Sequence, residues 1–295
     1  SVRLIDSYAL GEFACRITAD CSVSEYLQSP RVLQSIPVEL RPLIDRALGF
    51  DPSQRCEDIE DLMTQLRTIQ SLLRQEALTE DLSESLHLHR QLTKTDVDSG
   101  HEQAGLPFER IGHFQILRRI GSGGMGDVYE GYDESLKRKV AIKVLPPELG
   151  RHDSFVKRFY SEAASVAKIV HPHIVQIFFI GEDHGHHFFA MEFVDGESLA
   201  EQLGRAPLSV ADALNVIVQI LEGLQAAHRV GLVHRDVKPG NILREQKTNR
   251  YLLVDFGLVK SLQDDDGPTH SGTVLGTMDY ISPEQGSSRA VDARS

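Results

Sequence analysis

The pattern of apolar and polar positions changes character twice along the chain. Between residues 39 and 75, Ile59, Leu62, Met63, Leu66, Ile69 and Leu73 recur at three- and four-residue steps. That spacing lines one side of a helix. Pro42 and Pro52 punctuate the approach to it. Across residues 76 to 107, Thr, Ser, Asp, Glu, His and Gln replace the apolar residues. This is the texture of a linker, compatible with helix in its first half.

From Phe108 onward the pattern becomes that of short strands. Phe114, Ile116 and Leu117 lead into a Gly-rich turn, and Val128 with Tyr129 follow it. Val140, Ala141, Ile142 and Val144 form the next β-type run. A helix is predicted over residues 154–169, then two strands over 175–180 and 188–193 joined by a Gly/His turn. A second amphipathic helix is predicted over 211–228, with Ile217, Ile220, Leu221 and Leu224 on one face. No repeat of fixed period runs through residues 108–295.

Composition narrows the class. Apolar residues make up 41% of the 295 positions and charged residues 25%, as in a globular protein with a sizeable core. The net charge of -12 argues against binding nucleic acid through its phosphate backbone. A small anion site remains compatible with it, because backbone N–H groups and one or two Lys suffice. No apolar run approaches the ~20 residues that span a bilayer, and no signal-peptide pattern opens the chain. Cys15, Cys21 and Cys56 are an odd set without a fourth zinc ligand, which points to reduced thiols and a cytoplasmic compartment. His184, His186 and His187 fall in the predicted hairpin turn and His87 and His89 in the linker; no carboxylate or Cys framework accompanies them, so solvated positions are expected.

The chemistry-bearing residues begin with Gly121-Ser122-Gly123-Gly124-Met125-Gly126-Asp127-Val128. Glycines let a backbone approach phosphates and aim its N–H groups at them. A dinucleotide-binding loop would open a helix and place an acidic residue about 20 positions on. Here β-type residues follow instead, and a lysine, Lys143, ends the sequence Val140-Ala141-Ile142. That order fits phosphoryl transfer from ATP. Glu162 falls within the predicted helix; in protein kinases a helix Glu pairs with the strand Lys, which makes Glu162 the candidate partner of Lys143.

His234-Arg235-Asp236-Val237-Lys238-Pro239-Gly240-Asn241 follows the second helix. A carboxylate that accepts the proton of an incoming hydroxyl, an oxygen ligand for Mg2+ and a cation for the developing charge are what phosphoryl transfer requires; Asp236, Asn241 and Lys238 supply them. Asp255-Phe256-Gly257 comes next, where Asp255 would be a second metal ligand if the motif acts as it does in kinases, and then Ser282-Pro283-Glu284. Thr269, Ser271 and Thr273 occupy the polar loop between them. A phosphate there would find Arg235 as partner.

The order and spacing of these motifs over residues 108–295 resemble the protein kinases, in particular the eukaryotic-like Ser/Thr kinases of bacteria, although Ser282 stands where most kinases have Ala. The resemblance implies an α+β, bilobal protein-kinase fold: an N-lobe of antiparallel sheet plus one helix, and a mainly helical C-lobe truncated at the C-terminus. It implies an N-lobe over residues 108–194 and a partial C-lobe over 195–295. It implies ATP and Mg2+, and protein substrates carrying Ser or Thr, a second copy of the kinase among them. ATP contacts would come from Gly121, Ser122, Gly123, Gly124, Met125, Gly126, Val128, Ala141, Lys143, Met191, Glu192 and Val194, with the segment after Met191 gripping adenine through its backbone.

The ends carry a looser resemblance. Asp6-Ser7-Tyr8-Ala9-Leu10-Gly11 and the region 36–75 resemble late C-lobe helices, with Arg55 in place to pair with Glu284. Residues 1–75 complete the C-lobe of 108–295, or are the tail of a preceding kinase-like domain, or are an unrelated helical appendage. The first arrangement predicts that they pack on the C-lobe. An ATP-binding module of the same fold with little turnover is the alternative function, which the incomplete C-lobe supports and the intact motif residues oppose.

Overall fold

Val140 to Val144 are buried on both sides of a central strand, and the sheet is built around them. The computed structural model describes residues 108–123 and 126–256 continuously, together with positions 14–15, 23–29, 31, 36, 38, 41, 44–45, 63–64 and 66–71. Thr269, Ser271, Thr273, Arg55, Glu284, Gly124 and Met125 lie outside the described residues. Among the described residues, helix α1 spans Val23–Gln28.

Strands β1 (Arg110–Ile111), β2 (Phe114–Gly123), β3 (Gly126–Asp133), β4 (Arg138–Val144), β5 (Ile177–Asp183) and β6 (His186–Glu192) form one antiparallel sheet in the order β1-β2-β3-β4-β6-β5. Alternation divides it between two cores. Val140, Ile142, Val144, Phe188 and Ala190 face one cluster with Phe114 and Ile116. Ala141, Phe189 and Met191 face the other, where helix α3 (Asp153–Val166) lays Phe159, Ala163 and Val166 on the sheet. A short helix α2 (Pro147–Gly150), unforeseen in the sequence, starts on Pro147 and precedes α3. The His184-Gly185 turn has positive φ at both residues, whereas His186 and His187 already belong to β6 rather than to the turn. His187 Nδ1 lies 2.7 Å from Tyr160 Oη, tying that hairpin to α3.

The larger lobe begins with β7 (Gly196–Ser198), α4 (Leu199–Arg205) and α5 (Val210–Arg229). Both helices start on serine caps: Ser198 and Glu201 form a reciprocal capping box, and Ser209 accepts from the Asp212 N–H. With 20 residues, α5 is long and apolar enough to cross a membrane by length and composition alone. Its Leu214, Ile220, Leu221 and Leu224 are instead fully buried in the large-lobe core. A 3-10 turn (Pro239–Asn241), β8 (Ile242–Glu245) and β9 (Tyr251–Leu253) follow, and β7-β8-β9 form a second antiparallel sheet.

The amino-terminal positions share this core. Ala14, Cys15, Tyr26, Ile36, Ile44, Met63, Leu66 and Ile69 are buried in the same contiguous cluster as α5. Arg67 Nη2 lies 2.5 Å from Glu222 Oε1 on α5.

Candidate active site

The segment between α5 and β8 is pinned from beneath. His234 is fully buried; its Nδ1 accepts the Asp236 N–H at 3.3 Å, which leaves Nε2 as the donor to the Val254 carbonyl at 3.0 Å. Val237 is buried in the core, and the Val254 N–H donates to the Asn241 carbonyl. These ties leave little freedom to the polar side chains between them. Arg235 and Asp255 both have positive φ, +65 and +56, a region sparsely occupied by non-glycine residues. Such conformations persist where the surroundings over-determine them, and they cluster at functional sites.

The Asn241 side-chain amide donates to the Asp236 carbonyl and to Asp236 Oδ2, each at 2.8 Å. Lys238 Nζ lies 2.9 Å from the same Oδ2. Asp236 is thus held by a neutral donor and a cation while remaining 6% exposed. Because its NH2 group is engaged, Asn241 offers its amide oxygen, the atom a hard cation prefers.

On the opposite lobe, Lys143 is 1% exposed on β4, and its Nζ reaches Asp255 Oδ1 at 2.6 Å. Glu162 of α3 lines one cavity together with Asp255, Phe256 and Met191. The Phe256 ring packs 4.5 Å from the His234 ring. The structure therefore brings Asp236, Lys238 and Asn241 into one cluster, sets Lys143 against Asp255, and places Glu162 with Asp255 on the lining of one cavity. Asp255 and Asn241 offer a carboxylate and an amide oxygen, a donor set that fits Mg2+.

The Gly-rich hairpin shows two kinds of glycine. Gly126 has φ +113, and a Cβ there would sit 2.0 Å from the Val144 carbonyl oxygen, so the fold itself demands glycine. A Cβ at Gly123 would meet no described atom within 4 Å. Gly121 and Val128 are paired across the hairpin, Val128 faces Lys143 in the β3–β4 register, and Ala141 pairs with Met191.

Sequence reasoning missed Arg250. Its Nη2 donates to Glu192 Oε1 at 2.5 Å, from the turn between β8 and β9. A lone Arg between a Gly-free turn and a strand carries no motif, and only the three-dimensional arrangement identifies its partner.

Comparison with known proteins agrees with this geometry. The protein kinase domain family matches residues 114–294. The chain is 43% identical over 188 residues to the Ser/Thr-protein kinase Pkn2 of Myxococcus xanthus, covering 62% of this chain and 23% of that protein. It is 41% identical over 175 residues to the Ser/Thr-protein kinase PrkC of Bacillus subtilis, covering 59% of this chain and 27% of the relative. The chain thus spans about a quarter of the length of these curated relatives. The kinase domain of PknI from Mycobacterium tuberculosis, in a double-mutant form, superposes with a TM-score of 0.50 at 29% identity, covering 64% of this chain and 70% of that one. The small lobe, the pinned Asp236 loop and these matches together place the chain in the protein kinase family, among relatives that are bacterial Ser/Thr kinases.

Proposed function

We propose that the protein transfers the γ-phosphoryl group of ATP to Ser and Thr hydroxyls of proteins. The observation that carries this reading is the Asp236 carboxylate, buried yet held by both Asn241 and Lys238, in the same site as the Lys143–Asp255 pair. In the reaction, the substrate hydroxyl oxygen forms the new P–O bond, the bond between the γ-phosphorus and the β,γ-bridging oxygen breaks, and ADP leaves with that electron pair. Asp236 orients the hydroxyl and receives its proton. Lys238 faces the charge on the transferring group, and Lys143, positioned by Glu162, holds the α- and β-phosphates.

Asn241 and Asp255 would hold Mg2+, which neutralises phosphate charge when bound. The Gly121–Gly126 hairpin, Val128, Ala141 and the backbone from Met191 to Val194 would enclose the nucleotide. Thr269, Ser271 and Thr273 are the candidate sites of autophosphorylation by a second copy, and the compartment is cytoplasmic.

We further propose that residues 1–75 act as the closing part of the large lobe; the shared core and the Arg67–Glu222 contact support this. Radiolabelled ATP with Mg2+ tests the activity. The chain should label itself or a generic Ser/Thr substrate, and Asp236→Asn should not. ATP binding without labelling in the unaltered chain would overturn the kinase reading in favour of a nucleotide-binding module.

A further inference from the structure

Arg250 joins three parts of the fold that the sequence keeps far apart. Nη2 donates to Glu192 Oε1 at 2.5 Å, Nη1 donates to the Pro172 carbonyl at 3.2 Å, and Nε lies 3.3 Å from Glu245 Oε2. Glu192 closes β6 of the small-lobe sheet, Pro172 lies between α3 and β5, and Glu245 ends β8 of the large lobe. The root of the side chain is itself fixed. The Arg250 N–H donates to Thr248 Oγ1 at 3.2 Å, and its carbonyl accepts the Glu245 N–H at 2.8 Å. Thr248 Oγ1 also donates to Glu245 Oε2, holding that carboxylate in place.

Glu192 is equally constrained. Its N–H donates to the Gln176 carbonyl at 2.8 Å, and its Oε2 lies 3.4 Å from the Gln176 N–H. The side chains of Arg250 and Glu192 are 26% and 25% exposed, so their pairing is partly shielded from water. Immediately after Glu192 the chain leaves the small-lobe sheet through Phe193 and Val194 toward β7. Whatever fixes Glu192 therefore fixes the start of the connection between the lobes.

We propose that Arg250 is a positioning residue for nucleotide binding: through Glu192 it holds the 192–194 backbone at the angle from which it receives adenine. The proposal rests on the kinase reading. A backbone edge that must meet a ligand's hydrogen bonds loses affinity when its supports are removed, even though the supports touch no ligand. Arg250 also presents two parallel donors in one plane, which a lysine ammonium reproduces only in part.

The test measures KM for ATP, kcat and the ATP dissociation constant for the unaltered chain, Arg250→Met, Arg250→Lys and Glu192→Gln. Arg250→Met is expected to raise both KM and the dissociation constant about fivefold, with kcat within about twofold, the scale of a partly shielded charged pair. Arg250→Lys should recover part of that loss. Glu192→Gln should raise KM in the same direction, and the double variant should be no worse than the worse single one, because both remove one interaction. An unchanged KM in Arg250→Met, even with a lowered melting temperature, overturns the proposal and leaves Arg250 a structural residue only. If Arg250→Met does not fold, Glu192→Gln carries the test by the same criterion. An unaltered chain that binds no ATP removes the kinase reading and this proposal together; one that binds and transfers, beside an unchanged variant KM, removes this proposal alone.

Discussion

Lys143 Nζ lies 2.6 Å from Asp255 Oδ1, an ion pair that ties β4 of the small lobe to the segment leaving β9 in the large lobe. Its two ends differ in environment: the Lys143 side chain is 2% exposed and that of Asp255 28%. Removing one partner of such a pair strands the other charge, and the cost falls on whichever is deeper. Asp255→Asn, which takes a carboxylate away from the buried ammonium, should therefore destabilise the fold more than Lys143→Met, which leaves a carboxylate with access to water. A difference of about 2 kcal/mol in urea unfolding is expected. Equal losses would show that Lys143 has another sufficient counter-charge in the folded state. Both variants should lose phosphotransfer.

The contrast between Gly123 and Gly126 separates folding from ligand approach. Gly126→Ala would force a Cβ to within 2.0 Å of the Val144 carbonyl at φ +113, so the hairpin must shift. A loss of about 1–3 kcal/mol is expected, with ATP binding weakened as well. Gly123→Ala meets nothing within 4 Å among the described residues. Its stability should stay within about 0.5 kcal/mol of the unaltered chain. If the hairpin closes over phosphates, its KM for ATP should nonetheless rise. Thermal unfolding paired with ATP titration of the two variants checks both statements, and an unchanged KM for Gly123→Ala would mean that no phosphate comes near that position.

Much of this was legible in the sequence because it is local. Alternation at Val140 to Val144 fixes which side chains face which core, and the intervals within His234 to Asn241 bring Asp236, Lys238 and Asn241 together through one short loop. The glycine motif marks positions without saying why each is glycine; only the packing of β4 distinguishes Gly126 from Gly123. The Arg250–Glu192 contact joins residues whose meeting depends on how the β8–β9 turn lands beside the end of β6, and no local periodicity encodes that. The helix at 66–71 was legible as amphipathic from its spacing, whereas the expectation that it packs on the C-lobe rests on resemblance, because a local period does not say which surface an apolar side covers.

Glu130 predicts an acid sensitivity of the small lobe. Its side chain is 4% exposed and is met by Arg118 Nη2 and Lys139 Nζ, each at 2.7 Å. Burial alone would raise its pKa, but the Lys139 hydrogen bond and the charges of Arg118 and Lys139 outweigh it and hold the carboxyl below its ordinary value of 4.5. A depressed folded-state value means that the stabilisation is fully present above about 4.5 and is lost as pH falls through the lower folded value. Glu130→Gln should therefore be less stable than the unaltered chain at pH 7, by about 1–3 kcal/mol, and the gap should narrow below pH ~4.5. Urea unfolding at several pH values reads the gap directly; a gap that stays constant into acid would remove the ionised carboxylate as its cause.

The amino-terminal segment is tested by the apolar side of its helix. Met63, Leu66 and Ile69 are buried in the core that α5 fills, whereas the Arg67 and Glu222 side chains are 56% and 29% exposed. A pair so exposed contributes little, roughly 0–1 kcal/mol. Packing must then hold the segment, and Leu66→Ala should cost about 2–4 kcal/mol. What matters is which unfolding transition moves. ATP stabilises the cooperative unit that binds it, by mass action. If residues 1–75 close the large lobe, Leu66→Ala lowers the transition that ATP raises, while Arg67→Ala barely shifts it. A separate appendage would instead show its own transition, lowered by Leu66→Ala and indifferent to ATP.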